Sequence, residues 1–175
     1  MYDYPMHTVW SNDQIRQWQK EVLAVTDTDM MKAWFTERHD QEVGSAHNVE
    51  KCPIRNYYND LLPHLDIEVG RYQVKTDIPP KLFKHGQFKP LVISDIYYLG
   101  NSSLQCPDMP EWLSKIVTLI DIEYCHNTEL GQKISSGEVE GLYHELHFPV
   151  LGWQVVALIE KVLAEYAVEQ EAIAA

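Results

Sequence analysis

Val43-Gly44-Ser45-Ala46-His47-Asn48-Val49-Glu50-Lys51-Cys52-Pro53-Ile54-Arg55-Asn56-Tyr57-Tyr58 joins a polar loop to a Cys-Pro step that opens a helix. Residues 40–51 show no hydrophobic period and contain Gly44, Ser45 and Asn48, so they read as a loop. Pro53 suits a first helical turn, where its missing N–H costs nothing. Ile54, Tyr57, Tyr58, Leu61 and Leu62 then form an apolar stripe that Pro63 stops.

Downstream, the period changes to two. Leu65, Ile67 and Val69 alternate with Asp66 and Glu68, and after Gly70-Arg71, Tyr72 and Val74 alternate with Gln73 and Lys75. Alternation on both sides of a Gly-containing two-residue step predicts a tight hairpin. Pro79-Pro80 breaks it, residues 81–90 form a basic loop, and residues 91–99 read as a third, more buried strand before a turn at 100–103. Pro110 opens a helix with Trp112, Leu113, Ile116, Val117, Leu119 and Ile120 inward. Residues 125–147, polar and with three glycines, read as a long loop, and Pro149 starts the last helix.

Upstream, Ser11 and Gln14 have capping-box spacing, and Ile15, Trp18, Val22, Leu23 and Val25 share a helical face. Residues 26–29 can end that helix and cap a second one bearing Met30, Met31, Trp34 and Phe35. The expected fold is α+β: a small antiparallel sheet of about three strands packed against several helices, with N- and C-terminal helical extensions. One domain spans residues 1–175: N-terminal helices (1–43), an α+β core (44–124), a long loop (125–147) and a C-terminal helix (148–175).

Composition bounds the function. An apolar share of 45% and a charged share of 23% belong to a globular chain rather than a disordered one. Cys52, Cys106 and Cys125 are an odd count without CxxC spacing, which argues for a reducing compartment. With no signal-peptide pattern at the start and charges throughout the longest apolar segment, the expectation is a cytoplasmic protein without membrane contact. Formal charge is −12, and residues 101–175 hold twelve acids against three bases. Such a field repels nucleic acid and favours basic partners, although a merely solubilising surface would look the same.

The order Trp34-Phe35, Val43-Gly44-Ser45-Ala46, Cys52-Pro53-Ile54, Tyr57 or Tyr58, alternating strands and Met109-Pro110-Glu111-Trp112 resembles a loose group of small uncharacterised proteins. These come from bacteriophages and bacteria, including cyanobacteria, and share a VG-x-A … CPI-x-x-Y … LP-x-W pattern. The resemblance covers roughly residues 30–124. It implies a small phage or bacterial cytoplasmic protein and carries no activity or residue role. Residues 77–108 look like an insertion, and residues 125–175 have no counterpart in the group.

Three constellations could carry chemistry. Cys125, His126, His144 and His147 (with Glu129) offer zinc-type ligands at the two ends of the long loop, although His144-Glu145-Leu146-His147 is one residue short of HExxH. Surface histidines and a packed thiol explain the same residues. Cys52 before a helix, with His47 nearby, has the residue types of an activated thiol, against a reading as core filler. Asp66, Glu68 and Lys75 faintly suggest a magnesium nuclease, which the acidic charge opposes. Lys81, Lys84, His85 and Lys89 with Phe83 and Phe88 form the one basic–aromatic patch, which reads as a mobile loop and, as the alternative, as a docking site for an acidic partner. The leading expectation is a non-enzymatic protein that binds another protein and needs no cofactor. A metal-dependent hydrolase using zinc in residues 125–147 is the alternative, and a homodimer seam along the last helix is a third reading.

Overall fold

The computed structural model describes residues 12–64, 67–70, 73–77, 103–105 and 110–174. Its first two helices, α1 (Asn12–Val25) and α2 (Thr28–Glu37), meet at the expected break. Asp27 supplies the cap, its carboxylate accepting the Met30 N–H at 2.9 Å. Met31 and Phe35 on α2 are buried, four residues apart on one face.

After α2 comes β1 (Glu42–Ser45), then α3 (Pro53–Leu61), begun by Pro53 and burying Ile54, Tyr57 and Tyr58. Phe35 stacks on Tyr57 (centroids 6.2 Å apart), and Trp34 meets Tyr57 edge-on at 5.8 Å. The Tyr57 hydroxyl donates to the Val25 carbonyl at 2.5 Å, so the ring's polar end is satisfied while its body fills the core. Tyr58 shares a 2.7 Å hydroxyl–hydroxyl bond with Thr26. The α3 stripe therefore clamps the joint between α1 and α2.

The hairpin forms as β2 (Ile67–Gly70) and β3 (Gln73–Asp77), antiparallel, with Val69 opposite Val74. Gly70 is itself a strand residue paired with Gln73, rather than part of the connecting step. Asn59 ties the hairpin to α3: its side chain accepts from the Ile67 N–H and donates to the Ile67 carbonyl, both at 2.9 Å. The third strand is β4 (Ser103–Gln105), antiparallel to β3, which begins at the last residue of the expected turn. The expected strand at 91–99 lies outside the described residues.

The rest of the chain runs through α4 (Glu111–Asp121), a π-helical turn (Ile122–His126), α5 (Glu129–Ser135), a 3-10 turn (Tyr143–Glu145), β5 (Pro149–Leu151) and α6 (Gly152–Ala174). Residues 125–147 are thus not a long unstructured loop. Thr128 caps α5 by accepting the Gly131 N–H at 3.0 Å, and Gly131 lies so close to the Cys125 carbonyl that a Cβ there would collide with it. The helix is only seven residues long with a glycine inside, so it leaves no readable period.

Two further expectations need correction. Residues 40–51 contain β1, and Pro149 belongs to a strand rather than to the start of the last helix. β1 and β5 pair antiparallel, with Gly44 opposite Val150, Ser45 opposite Pro149, and a bulge at Val43. The fold is α+β, but its strands divide into a two-stranded sheet (β1–β5) and a three-stranded one (β2–β3–β4) rather than one sheet of about three. α6 packs against α2 and α4 through Val155, Leu158, Ile159 and Val162. Among the described residues, no helix is long and apolar enough to cross a membrane.

Candidate functional site

The segment 43–58 builds one wall of a cleft. Gly44 lies against the chain seven to nine residues ahead, where a Cβ would strike the Lys51 carbonyl and the Pro53 nitrogen. Ser45 continues this closure: its N–H donates to Lys51 O at 2.8 Å, and its hydroxyl accepts the Phe148 N–H at 3.0 Å. Asn48 completes the turn by accepting the Glu50 and Lys51 N–H groups, each at 3.0 Å. The turn forces His47 to φ 54°, a left-handed conformation that costs a non-glycine residue about 1–2 kcal/mol. Asp121, at the end of α4, holds it there by accepting the His47 N–H at 2.7 Å.

These residues surround a cleft of about 330 Å³ between β1, α3 and α4. Among the described residues that line it, Ser45, His47, Asn48, Cys52 and Asp121 supply polar and thiol groups, and the others are valine, isoleucine and proline. Cysteine, histidine and aspartate line one cavity, which is the residue set of a thiol hydrolase. Their connections are different. Asp121 engages the main chain of His47 rather than its ring, and the ring packs on His126 (5.2 Å) and Tyr143 (5.2 Å). Burial pushes the Cys52 thiol from its ordinary 9.0 up to about 11; the first N–H groups of α3 pull the other way and lose, while the Asp121 charge adds to the rise. The thiol is therefore protonated near neutral pH, as befits a buried cap residue.

Cys125 behaves alike. It sits in the π-helical turn, fully buried, and burial, with a further push from Asp121, lifts its thiol to about 11. Both thiols carry a testable consequence. Iodoacetamide at pH 8 leaves Cys52 and Cys125 unmodified in the native protein by peptide mass mapping, and denaturant exposes them. The pH dependence has a definite sign. The unfolded thiols ionise near 9 and the folded ones near 11, so their contribution to stability is complete below pH 9 and is lost as pH rises towards 11. A urea midpoint that stays flat between pH 9 and 11, or alkylation of either thiol in native protein, contradicts this.

The four residues proposed as zinc ligands go to different tasks. His126 joins His47 and Tyr143, its ring 4.7 Å from that of Tyr143. His144 is exposed on the 3-10 turn, where its carbonyl accepts the Asn48 side-chain amide at 3.3 Å. His147, just ahead of β5, pairs with Glu42 of β1 at 3.0 Å. Among the described residues, no group of three His, Cys, Asp or Glu side chains is placed to hold a metal ion. Glu129 pairs with Lys133 one turn along α5. Glu68 and Lys75 are cross-strand neighbours in the hairpin, and Asp66 lies outside the described residues. So do Phe83, Lys84, His85, Phe88 and Lys89. The His47–His126–Tyr143 cluster joins residues 79 and 96 positions apart in sequence, and no local pattern announces it.

A second surface lies at the far end of α6. Its core stripe has its last fully buried member at Val162, with Leu163 and Tyr166 half-covered. Residues 167–173 are all exposed, an overhang of roughly 10 Å at 1.5 Å per residue. Val168 is 66% exposed and Ile173 80%. Glu169 and Glu171 stand among them and Glu165 just before, with Lys115 of α4 3.8 Å from Glu169. No family model, curated protein or solved structure matches the chain.

Proposed function

We propose that this protein acts by binding another protein, as a non-enzymatic interaction module in the cytoplasm of a bacterium or a phage-infected cell. The observation that carries the reading is the end of α6, which extends past the body while keeping Val168 and Ile173 open to water. Ile173 falls eleven residues after Val162, on the same helical face, so it continues the core stripe where there is no core. A stripe of this kind gains from a partner that covers it, at about 25 cal/mol for each Å² of apolar surface removed from water.

The charge indicates what kind of partner. Glu165, Glu169 and Glu171 flank the apolar positions, within a chain of net charge −12. A second copy on this face would set carboxylates against carboxylates, whereas a basic segment with apolar anchors meets both features. The test is capture from host lysate at low and moderate salt, comparing the wild type with the Val168→Asp, Ile173→Asp double variant. Both sites are exposed, so the variant folds. A basic protein retained by the wild type and lost with the variant is the expected result; a wild type that retains nothing specific contradicts the reading.

A further inference from the structure

We propose that the groove between α4 and α6 receives an amphipathic α-helix of the partner, with an apolar stripe edged by lysine or arginine. This rests on the reading of the α6 end given above and names the shape and chemistry of what binds there. Two ion pairs set α4 antiparallel to α6: Glu123 with Lys161 at 3.3 Å, and Lys115 with Glu169 at 3.8 Å. Along that seam the surface is recessed. One hollow of about 430 Å³ runs between α4 and Glu165, and a second of about 460 Å³ lies along α6 from Ala164 to Glu169. Glu165 lines both, so they form one groove.

The side chains along it are short. Ser114 and Thr118 stand one turn apart on α4, and Ala164 and Val168 one turn apart on α6, the last two exposed. Short side chains on two neighbouring helices let a third approach to the 8–10 Å of ordinary helix packing. The backbone demands agree. An extended segment laid here would find no sheet edge to take its N–H and C=O groups, whereas a helix satisfies them internally. From Glu111 to Leu119 the groove runs about 12 Å at 1.5 Å per residue, which is room for two turns and apolar anchors at i, i+3 or i+4, and i+7. Leu119, Ala164 and Val168 give those anchors an apolar floor. The rim selects by charge. Glu111 and Glu165 are exposed, and the Glu169 side chain is 57% exposed. Lys115 is drawn inward, its ammonium 4.3 Å from the centre of the Tyr166 ring as well as beside Glu169, so it serves the α4–α6 seam. Long basic side chains on the incoming helix can lay their stems on the apolar floor and reach these carboxylates.

The experiment is fluorescence anisotropy of the full chain with a labelled leucine–lysine peptide of about 18 residues, its leucines on one helical face. The control peptide has the same composition with its leucines spread around the helix. Saturable binding at micromolar concentration is expected for the first, and binding about tenfold weaker or more for the second. Ala164→Arg fills the floor of the groove and Glu165→Lys reverses its rim; both positions are exposed, and each variant weakens the first peptide by about tenfold. Glu140→Lys makes the same charge change at an exposed site between α5 and the 3-10 turn, and Ile173→Asp alters another side of α6; each changes the affinity less than about threefold. Equal binding of the two peptides, no saturable binding, undiminished binding by Ala164→Arg, or a loss with Glu140→Lys as large as with Glu165→Lys overturns the proposal. Binding lost with Ile173→Asp and kept with Ala164→Arg overturns the groove and leaves the reading of the α6 end standing. The expected peptide pattern from a chain that captures nothing in host lysate sustains the groove and overturns that reading.

Discussion

Tyr57→Ala is expected to be the most damaging single truncation in this protein, lowering stability by about 4 kcal/mol. Tyr57 is fully buried, stacked on Phe35, edge-on to Trp34, and 5.4 Å from Tyr58. Removing the ring leaves a cavity at the junction of α1, α2 and α3, which three helices cannot collapse to fill. It also removes the hydroxyl that donates to the Val25 carbonyl at the end of α1. Tyr57→Phe separates the two effects: it keeps the packing, gives up the hydrogen bond, and costs about 1 kcal/mol. Urea unfolding of the three proteins measures both. For a chain of this length each kcal/mol moves the thermal midpoint by roughly 2–4 °C, so the alanine variant should melt about 10 °C lower or more. An alanine variant within about 1 kcal/mol of wild type would mean that the aromatic cluster does not organise the core.

Gly44→Ala is the second large effect, with the opposite cause. The position is overfilled rather than emptied. The new methyl group would meet the Lys51 carbonyl and the Pro53 nitrogen, both backbone atoms, so no side chain can turn aside. Separating the two segments breaks the Ser45 N–H bond to Lys51 O and shifts β1 against β5. A loss of about 3 kcal/mol or more is expected, at the upper end for overpacking. The same substitution at Gly137, which has nothing within 4 Å, is a useful contrast. There the cost comes only from its positive φ of 79° and stays near 1 kcal/mol. A Gly44→Ala protein as stable as wild type would mean that this close approach is absent in solution.

These two positions lie in one stretch, whose helical half was legible from sequence and whose β1 half was not. The helix after Cys52-Pro53, its Tyr57–Tyr58 stripe and the alternating hairpin were legible because each is local, long enough to show a period, and bounded by Pro or Gly. The β1–β5 pair was not. Its strands have four and three residues, too few for alternation to register, and they meet across more than a hundred residues of chain. α5 escaped for a similar reason, a single short turn around Gly131. Cys52 had two readings in the sequence, an activated thiol or core filler, and its burial is a tertiary fact. The grouping of His47 with His126 and Tyr143, and the bond from His47 N–H to Asp121, depend on tertiary contacts that leave no trace in spacing. Cys125, His126, His144 and His147 lie near one another in sequence, and only tertiary structure decides where each goes. In the fold one is core, one joins an aromatic cluster and two face water.

The cleft and the α6 overhang make separate demands on the chain. The first is a recess built by a strained turn; the second is a helix end that the protein leaves uncovered. The overhang bears most directly on what the protein does. A photo-crosslinking phenylalanine analogue placed at position 168, and separately at 173 on another side of the helix, and irradiated in cells of the native host, reports what covers that helix end. One discrete adduct between this chain and a basic host or phage protein is expected at both positions, and none when the analogue replaces exposed Leu142, which precedes β5. No adduct at either position, or an adduct with the mass of two copies of this chain, would contradict it.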